Sequence, residues 1–253
     1  MQKPLLIPVA IAVLAAHPAS AQDILFDFDT APLHSPFPIS LTVGGITARF
    51  SASGGGFSIQ EAGTMGFTPA GFAGRCLYPS SVFLADLQIE FSPAVSDFSI
   101  LYAPQELACD SSARMRVTAY LDGVLVGTST TTANPPGTWP TATLAFTRAP
   151  GFDYVVVHYD APPPTGGDWG PIFMADNLRV TPGPPALRVF LADAQTAVMA
   201  WPATSTGFAL QAKAVLGGTN WVSVTNTVNV VVGENQVAVP PAGSARFFRL
   251  VHP

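Results

Sequence analysis

Charge is what this chain has least of. Asp, Glu, Lys and Arg together make up 11% of its 253 residues, lysine occurs only at Lys3 and Lys213, and the formal net charge is −5. Binding along a nucleic-acid backbone asks for a basic face that neutralises phosphates, so that class of partner is excluded. The scarcity of charge does not imply disorder, because 48% of the chain is hydrophobic and disordered segments combine low hydrophobicity with high net charge. Long apolar runs are missing too. The run from Leu5 to Ala16 is interrupted by Pro8 and falls short of the roughly 20 residues that span a bilayer, and nothing after it is longer.

Catalytic signatures are also lacking. There is no G-x-S-x-G elbow, no H-E-x-x-H helix, no cysteine in a protease signature and no EF-hand register. Beyond the first 21 residues the histidines are His34, His158 and His252, each isolated in sequence. A Ser-His-Asp site needs only one of them, since triad members meet in space. His158, next but one to Asp160, is the single candidate, and its reading is that of a strand or surface histidine. Glu61, Glu90 and Glu106 form no spaced pair of the kind a glycosidase would carry, and Glu90 beside Gln88 looks like a wetted strand face. These absences favour a non-catalytic protein.

What is present begins with Lys3, the apolar run and Ala19-Ser20-Ala21, the order of a secretory signal peptide cleaved after Ala21. The mature product is expected to be secreted or associated with the cell surface. Short β-branched or alternating runs then recur every 8 to 12 residues between Gly, Pro, Ser and Asp, the spacing of sandwiches and barrels. The clearest is Arg114 to Thr130, where Asp122-Gly123 suits a type I′ turn. Further strands are expected at 24–28, 46–51, 57–60, 82–91, 97–102, 141–146, 152–159 and 172–180, about ten in all, as in a jelly-roll-like sandwich. Pro182, Pro184 and Pro185 should end the ladder, since proline has no donor and a fixed φ, making 181–186 a stiff linker. Seven short runs follow in 187–253, enough for an immunoglobulin- or fibronectin-III-like sandwich, with Trp201 and Trp221 expected in its core. Charge differs across the linker: residues 22–180 hold fourteen Asp or Glu against six Arg, and residues 187–253 hold two against four Lys or Arg.

Three sets of site residues stand out. Cys76 and Cys109, both in the first region of an exported chain, are expected to form a disulfide that closes a 33-residue loop and stabilises by roughly 3–4 kcal/mol in the chain-entropy model. Asp27 and Asp29 in the first strand and Asp176 in the last would meet if those strands pair, a possible structural calcium site, since calcium takes carboxylate and carbonyl oxygens. Trp139 and Trp169, in Pro/Gly-rich loops, Asp168 beside Trp169, and Tyr78 near Cys76 are the candidate contact residues for a sugar, which stacks on aromatic faces and hydrogen-bonds to loop polar groups.

The residues Phe26-Asp27-Phe28-Asp29, Leu121-Asp122-Gly123 and Asp176-Asn177-Leu178 resemble the jelly-roll modules of exported bacterial proteins of the PEP-CTERM type, although the apolar helix and basic cluster of a sorting tail are not found before Pro253. Trp201-Pro202, Gly207 to Gln211, Trp221 and Arg246 to Leu250 resemble the fibronectin-III-like modules of secreted Verrucomicrobia and Planctomycetes proteins. Neither resemblance implies an enzymatic activity. The function expected is a secreted binding module for a polysaccharide or cell-surface component; the alternatives are a structural or adhesive surface protein and a secreted hydrolase of unrecognised type.

Overall fold

The computed structural model describes residues 23–54, 56–64, 66–79, 85–104, 114–133, 140–160, 172–193, 195–203, 205, 207–215, 220–240 and 247–251. They form strands, turns and loops without a helix, in two compact units, residues 22–183 and 184–253.

The first unit holds β1 (Ile24–Phe26), β2 (Ile39–Val43), β3 (Ile46–Ala52), β4 (Phe57–Glu61), β5 (Arg75–Pro79), β6 (Leu87–Pro104), β7 (Arg114–Leu121), β8 (Val124–Thr132), β9 (Ala142–Tyr159) and β10 (Phe173–Pro182). Two long strands organise it. The first part of β6 pairs with β3 and with Tyr154–Val157 of β9, whereas its second part pairs with β10 and with Ala142–Thr147 of β9. The register slips between Glu90 and Asp97, so each long strand turns a corner and serves both layers, as strands do in sandwiches whose sheets share edges. One layer is therefore β2-β3-β6-β9-β7-β8 and the other is β4-β5-β10-β6-β9, with β1 added to β10. Residues 87–91 of the expected strand 82–91 and all of 97–102 are parts of β6, and 142–146 and 152–159 are parts of β9, while 82–84 lie outside the described residues. Proline at 93 and 150 and glycine at 151 made each corner read as a break.

Alternation along these strands fills one core. Leu87, Ile89 and Phe91 of β6 and Val155 and Val157 of β9 point in, and Phe50 is ringed by Phe26, Phe28 and Phe37 at centroid distances of 6.3, 5.4 and 6.1 Å. Asp122 and Gly123 have φ of 50° and 76°, with Leu121 paired to Val124: the expected type I′ turn, whose positive φ at both central residues matches the strand twist. The linker starts later than expected. Thr181 and Pro182 still pair with Asp97 and Val95, and the Gly183 N–H donates to the Ala94 carbonyl at 2.9 Å. Pro182 is tolerated because it sits at a register shift at the strand end, where its absent donor is not needed.

The second unit stacks β11 (Arg188–Asp193), β12 (Thr196–Pro202), β16 (Glu234–Val239) and β15 (Asn229–Val231) in one antiparallel sheet, and β14 (Val222–Ser223), β13 (Ala209–Lys213) and β17 (Phe247–Val251) in another. Met199, Trp201, Leu210, Val237, Phe248 and Leu250 fill the space between them. Trp201 is 2% exposed, as expected of a core tryptophan. Trp221 is not in that core. It is half-buried on the opposite face of β13, against Lys213 and Arg249.

Candidate functional site

The outward-facing side of β2-β3-β6-β9-β7-β8 is where polar and aromatic side chains converge. Residues opposite each other in an antiparallel ladder share a face, so the registers lay the side chains out in rows. One row runs Ser40, Arg49, Glu90, Tyr154, Tyr120, and the next runs Ser51, Gln88, Val156, Thr118, Thr128. A third joins His158, Arg116 and Thr130. At about 4.8 Å per strand spacing, six strands make a tract roughly 24 Å wide.

Neighbouring side chains hold one another in place. Tyr120 and Tyr154 meet at 5.6 Å and 46° between ring planes. The Ser51 hydroxyl donates to Gln88 at 3.3 Å, and Arg49 lies 3.9 Å from Glu90. His158 Nδ1 is 2.6 Å from Asp86 Oδ1, and its Nε2 is 3.9 Å from Asp160, which Arg114 and Arg116 each approach to 3.4 Å. Burial, with Tyr120, Asp86 and Glu90 nearby, raises the Tyr154 phenol above its ordinary range. It stays protonated at neutral pH and keeps a hydroxyl to donate. His158 faces a carboxylate from each ring nitrogen, and no hydroxyl or thiol hydrogen-bonds to it among the described residues. That arrangement orients the imidazole as part of a polar surface.

On the other layer the expected pairing of first and last strands is present: Phe26 lies opposite Leu178. Asp27, Asp29 and Asp176 are consequently within electrostatic reach of one another, but each accepts a backbone N–H. Asp29 N–H donates to Asp27 at 3.2 Å, Arg75 N–H to Asp29 at 2.8 Å, and Asn177 and Ala73 N–H to Asp176 at 2.6 and 3.3 Å. Asp176 is 1% exposed, and burial pushes its carboxyl up to about 7, against the pull of its two N–H donors and with the help of Asp29 and Asp27. Gly74, at φ 53°, is needed here because a Cβ would occupy the Asp29 carboxylate. Asp29 and Asp176 thus clamp the segment 71–75 to the sheet, and Asp27 holds the Asp29 backbone. Among the described residues no group of three His, Cys, Asp or Glu is gathered as a metal ion requires.

The clamped segment covers a small satellite cluster of Ala62, Phe72, Cys76, Ala103 and Met174, against which Tyr78 is packed. Tyr78 is half-buried, with part of its ring against that cluster. Cys76 is a buried free thiol, pushed up to about 12 by burial, with Asp176 and Glu61 adding. Its expected disulfide partner Cys109 lies outside the described residues, as do Trp139, Asp168 and Trp169, so those contacts are not placed. Tyr120 and Tyr154 were missed in the sequence because each reads as an ordinary strand residue; only the register makes them neighbours.

No family model and no curated protein matches the chain. Among solved structures it is similar to a cleaved adhesin domain of Lys-gingipain, with 11% identity and a TM-score of 0.39 over 64% of this chain and 98% of that one. It is also similar to the CBM and INT domains of Clostridium perfringens ZmpB, with 13% identity and a TM-score of 0.31 over 56% of this chain and 39% of that one. A third is the N-terminal endo-1,4-beta-D-xylanase of Clostridium thermocellum, solved with xylohexaose, with 12% identity and a TM-score of 0.31 over 64% of this chain and 30% of that one.

Proposed function

We propose that this protein is an exported, non-catalytic binding module that holds a polysaccharide chain across the outer face of β2-β3-β6-β9-β7-β8. The observation that carries the reading is the Tyr120–Tyr154 pair set among fixed polar groups on one continuous face. Sugars present apolar C–H faces and rings of hydroxyls. Half-buried tyrosines receive the first, and Gln88, Arg116, Asp86 and Asp160, already oriented by their neighbours, exchange hydrogen bonds with the second. Little rotamer freedom is left to lose on binding, which favours affinity. The leader-like residues 1–21 support an extracellular or surface location.

The test is a pull-down of the protein on a panel of insoluble and soluble polysaccharides, with Tyr120→Ala and Tyr154→Ala beside the parent. Retention of the parent on at least one polysaccharide, weakened in both variants, is the expected result. A parent that binds none of them ends this reading.

An adhesive or structural role is the second reading, favoured by the edge strand β15. Val230 and Val231 there, with Val232 beyond, are 68%, 43% and 97% exposed, and uncharged edge strands are templates for pairing with another chain.

A further inference from the structure

The second unit carries a cationic aromatic surface that its core does not require. Gln211 and Lys213 of β13 and Arg249 of β17 point away from the core, opposite Leu210, Ala212, Phe248 and Leu250. Trp221 directly precedes β14, whose Val222 pairs with Ala212. Its ring meets both Arg249, with Cζ 4.4 Å from the centroid, and Lys213, with Nζ 5.0 Å from it. Arg249 lies on the far side of β13 from Trp221, so the indole must lie across the sheet to reach it, and it remains partly exposed there.

Among the described residues no carboxylate compensates the charge of Arg249. Arg49, Arg75, Arg114, Arg116 and Arg188 each have a carboxylate within 4 Å, whereas Arg249, like Arg148 and Arg179, has none among the described residues and donates to neutral Gln211 Oε1, from Nε at 3.0 Å and Nη2 at 2.8 Å. Among the described residues the rest of its five-donor fork is not engaged, and a guanidinium held by the indole and two hydrogen bonds is preorganised for contact with a carboxylate. The unit as a whole agrees in sign: of its two acidic residues, Glu234 is already taken by Arg188 at 2.6 Å.

We infer that the outer face of β14-β13-β17 is a second ligand site, and that it takes the carboxylate-bearing sugar of an acidic polysaccharide. The pyranose C–H face stacks on the exposed part of Trp221, and the carboxylate reaches the guanidinium of Arg249, with Lys213 adding to the positive field beside it. A neutral sugar would satisfy only the indole. A nucleic acid would need more than two cations, since its affinity comes from neutralising several phosphates.

Affinity electrophoresis of the full chain in native gels containing polygalacturonate, neutral dextran or DNA tests this, using W221A, W221F, R249Q and R188Q. Polygalacturonate should retard the parent and dextran should do so less. W221A and R249Q should each bind polygalacturonate at least about tenfold more weakly, and W221F, which keeps a stacking face, should stay within about threefold of the parent. R188Q, which removes a cation of the same unit that Glu234 already holds, should bind it unchanged, which separates a built site from the unit's general charge. The inference is overturned by a parent that polygalacturonate does not retard, by a W221A variant that binds as the parent does, or by DNA retarding the parent as strongly as polygalacturonate. Equal loss in W221A and W221F, with the unfolding midpoint lowered in both, would likewise overturn it, by showing a structural role for the indole.

Discussion

Tyr120 of β7 and Tyr154 of β9 occupy opposite positions in the ladder and touch at 5.6 Å between ring centroids. Cross-strand aromatic pairs contribute roughly 0.2–1 kcal/mol, and both rings are half-exposed. Tyr154→Ala should therefore lower stability by no more than about 1 kcal/mol while weakening polysaccharide binding at least about tenfold. Chemical unfolding and a binding isotherm on the same preparation check the two together. A loss of several kcal/mol would show that the pair is a structural element first.

Buried Asp176 makes stability depend on pH in a defined direction. Its carboxyl titrates near 7 in the folded chain against an ordinary 3.8, so between those values the folded state holds a proton that the unfolded state has released. Stability from this group is complete below about pH 4 and is lost as pH rises through 7. The unfolding midpoint should fall between about pH 4 and pH 7 and level off above that, and Asp176→Asn, which cannot ionise, should flatten that fall. A slope that survives the substitution contradicts the assignment. A slope abolished by adding calcium would place an ion among Asp27, Asp29 and Asp176.

Cys76 should be inert in the native protein. With its thiol pushed up to about 12, roughly one molecule in ten thousand carries the thiolate at pH 8, and the thiolate is the nucleophile. Iodoacetamide should label Cys76 only after unfolding, without reductant. Labelling that requires reductant would show the Cys76–Cys109 disulfide instead.

Val232 and Gly233 connect β15 to β16 with φ of 48° and 78°. A β-branched residue in the left-handed region is strained, and Asn visits that region readily. Val232→Asn should raise the stability of the second unit by about 1 kcal/mol, read by calorimetry, and no gain would show that the strain is relieved elsewhere.

Much of this fold is legible from alternation and turn chemistry. Asp122-Gly123 announces its hairpin because only a few residue pairs accept two positive φ values, and Phe208, Leu210 and Ala212 alternate with Gln211 and Lys213 as a half-wet strand does. Strands β2 and β5 were not expected: Ile39–Val43 follows Pro36 and Pro38, and Arg75–Pro79 ends on a proline, so local signals favoured loops where cross-strand pairing prevails. The candidate site was less legible, for a different reason. Asp27 and Asp176 could be brought together by guessing that end strands pair, but whether their oxygens face a metal or backbone N–H groups depends on the fold of residues 71–75. Trp221 read as core because its own strand is too short to show which face it occupies.

Tyrosine footprinting with and without the captured polysaccharide tests the central claim most directly. Modification by a phenol-selective reagent, mapped by peptide mass spectrometry, should be suppressed at Tyr120 and Tyr154 when ligand is bound and unchanged at Tyr78, which lies on the other layer. Unchanged modification of Tyr120 and Tyr154 at saturating polysaccharide would contradict it.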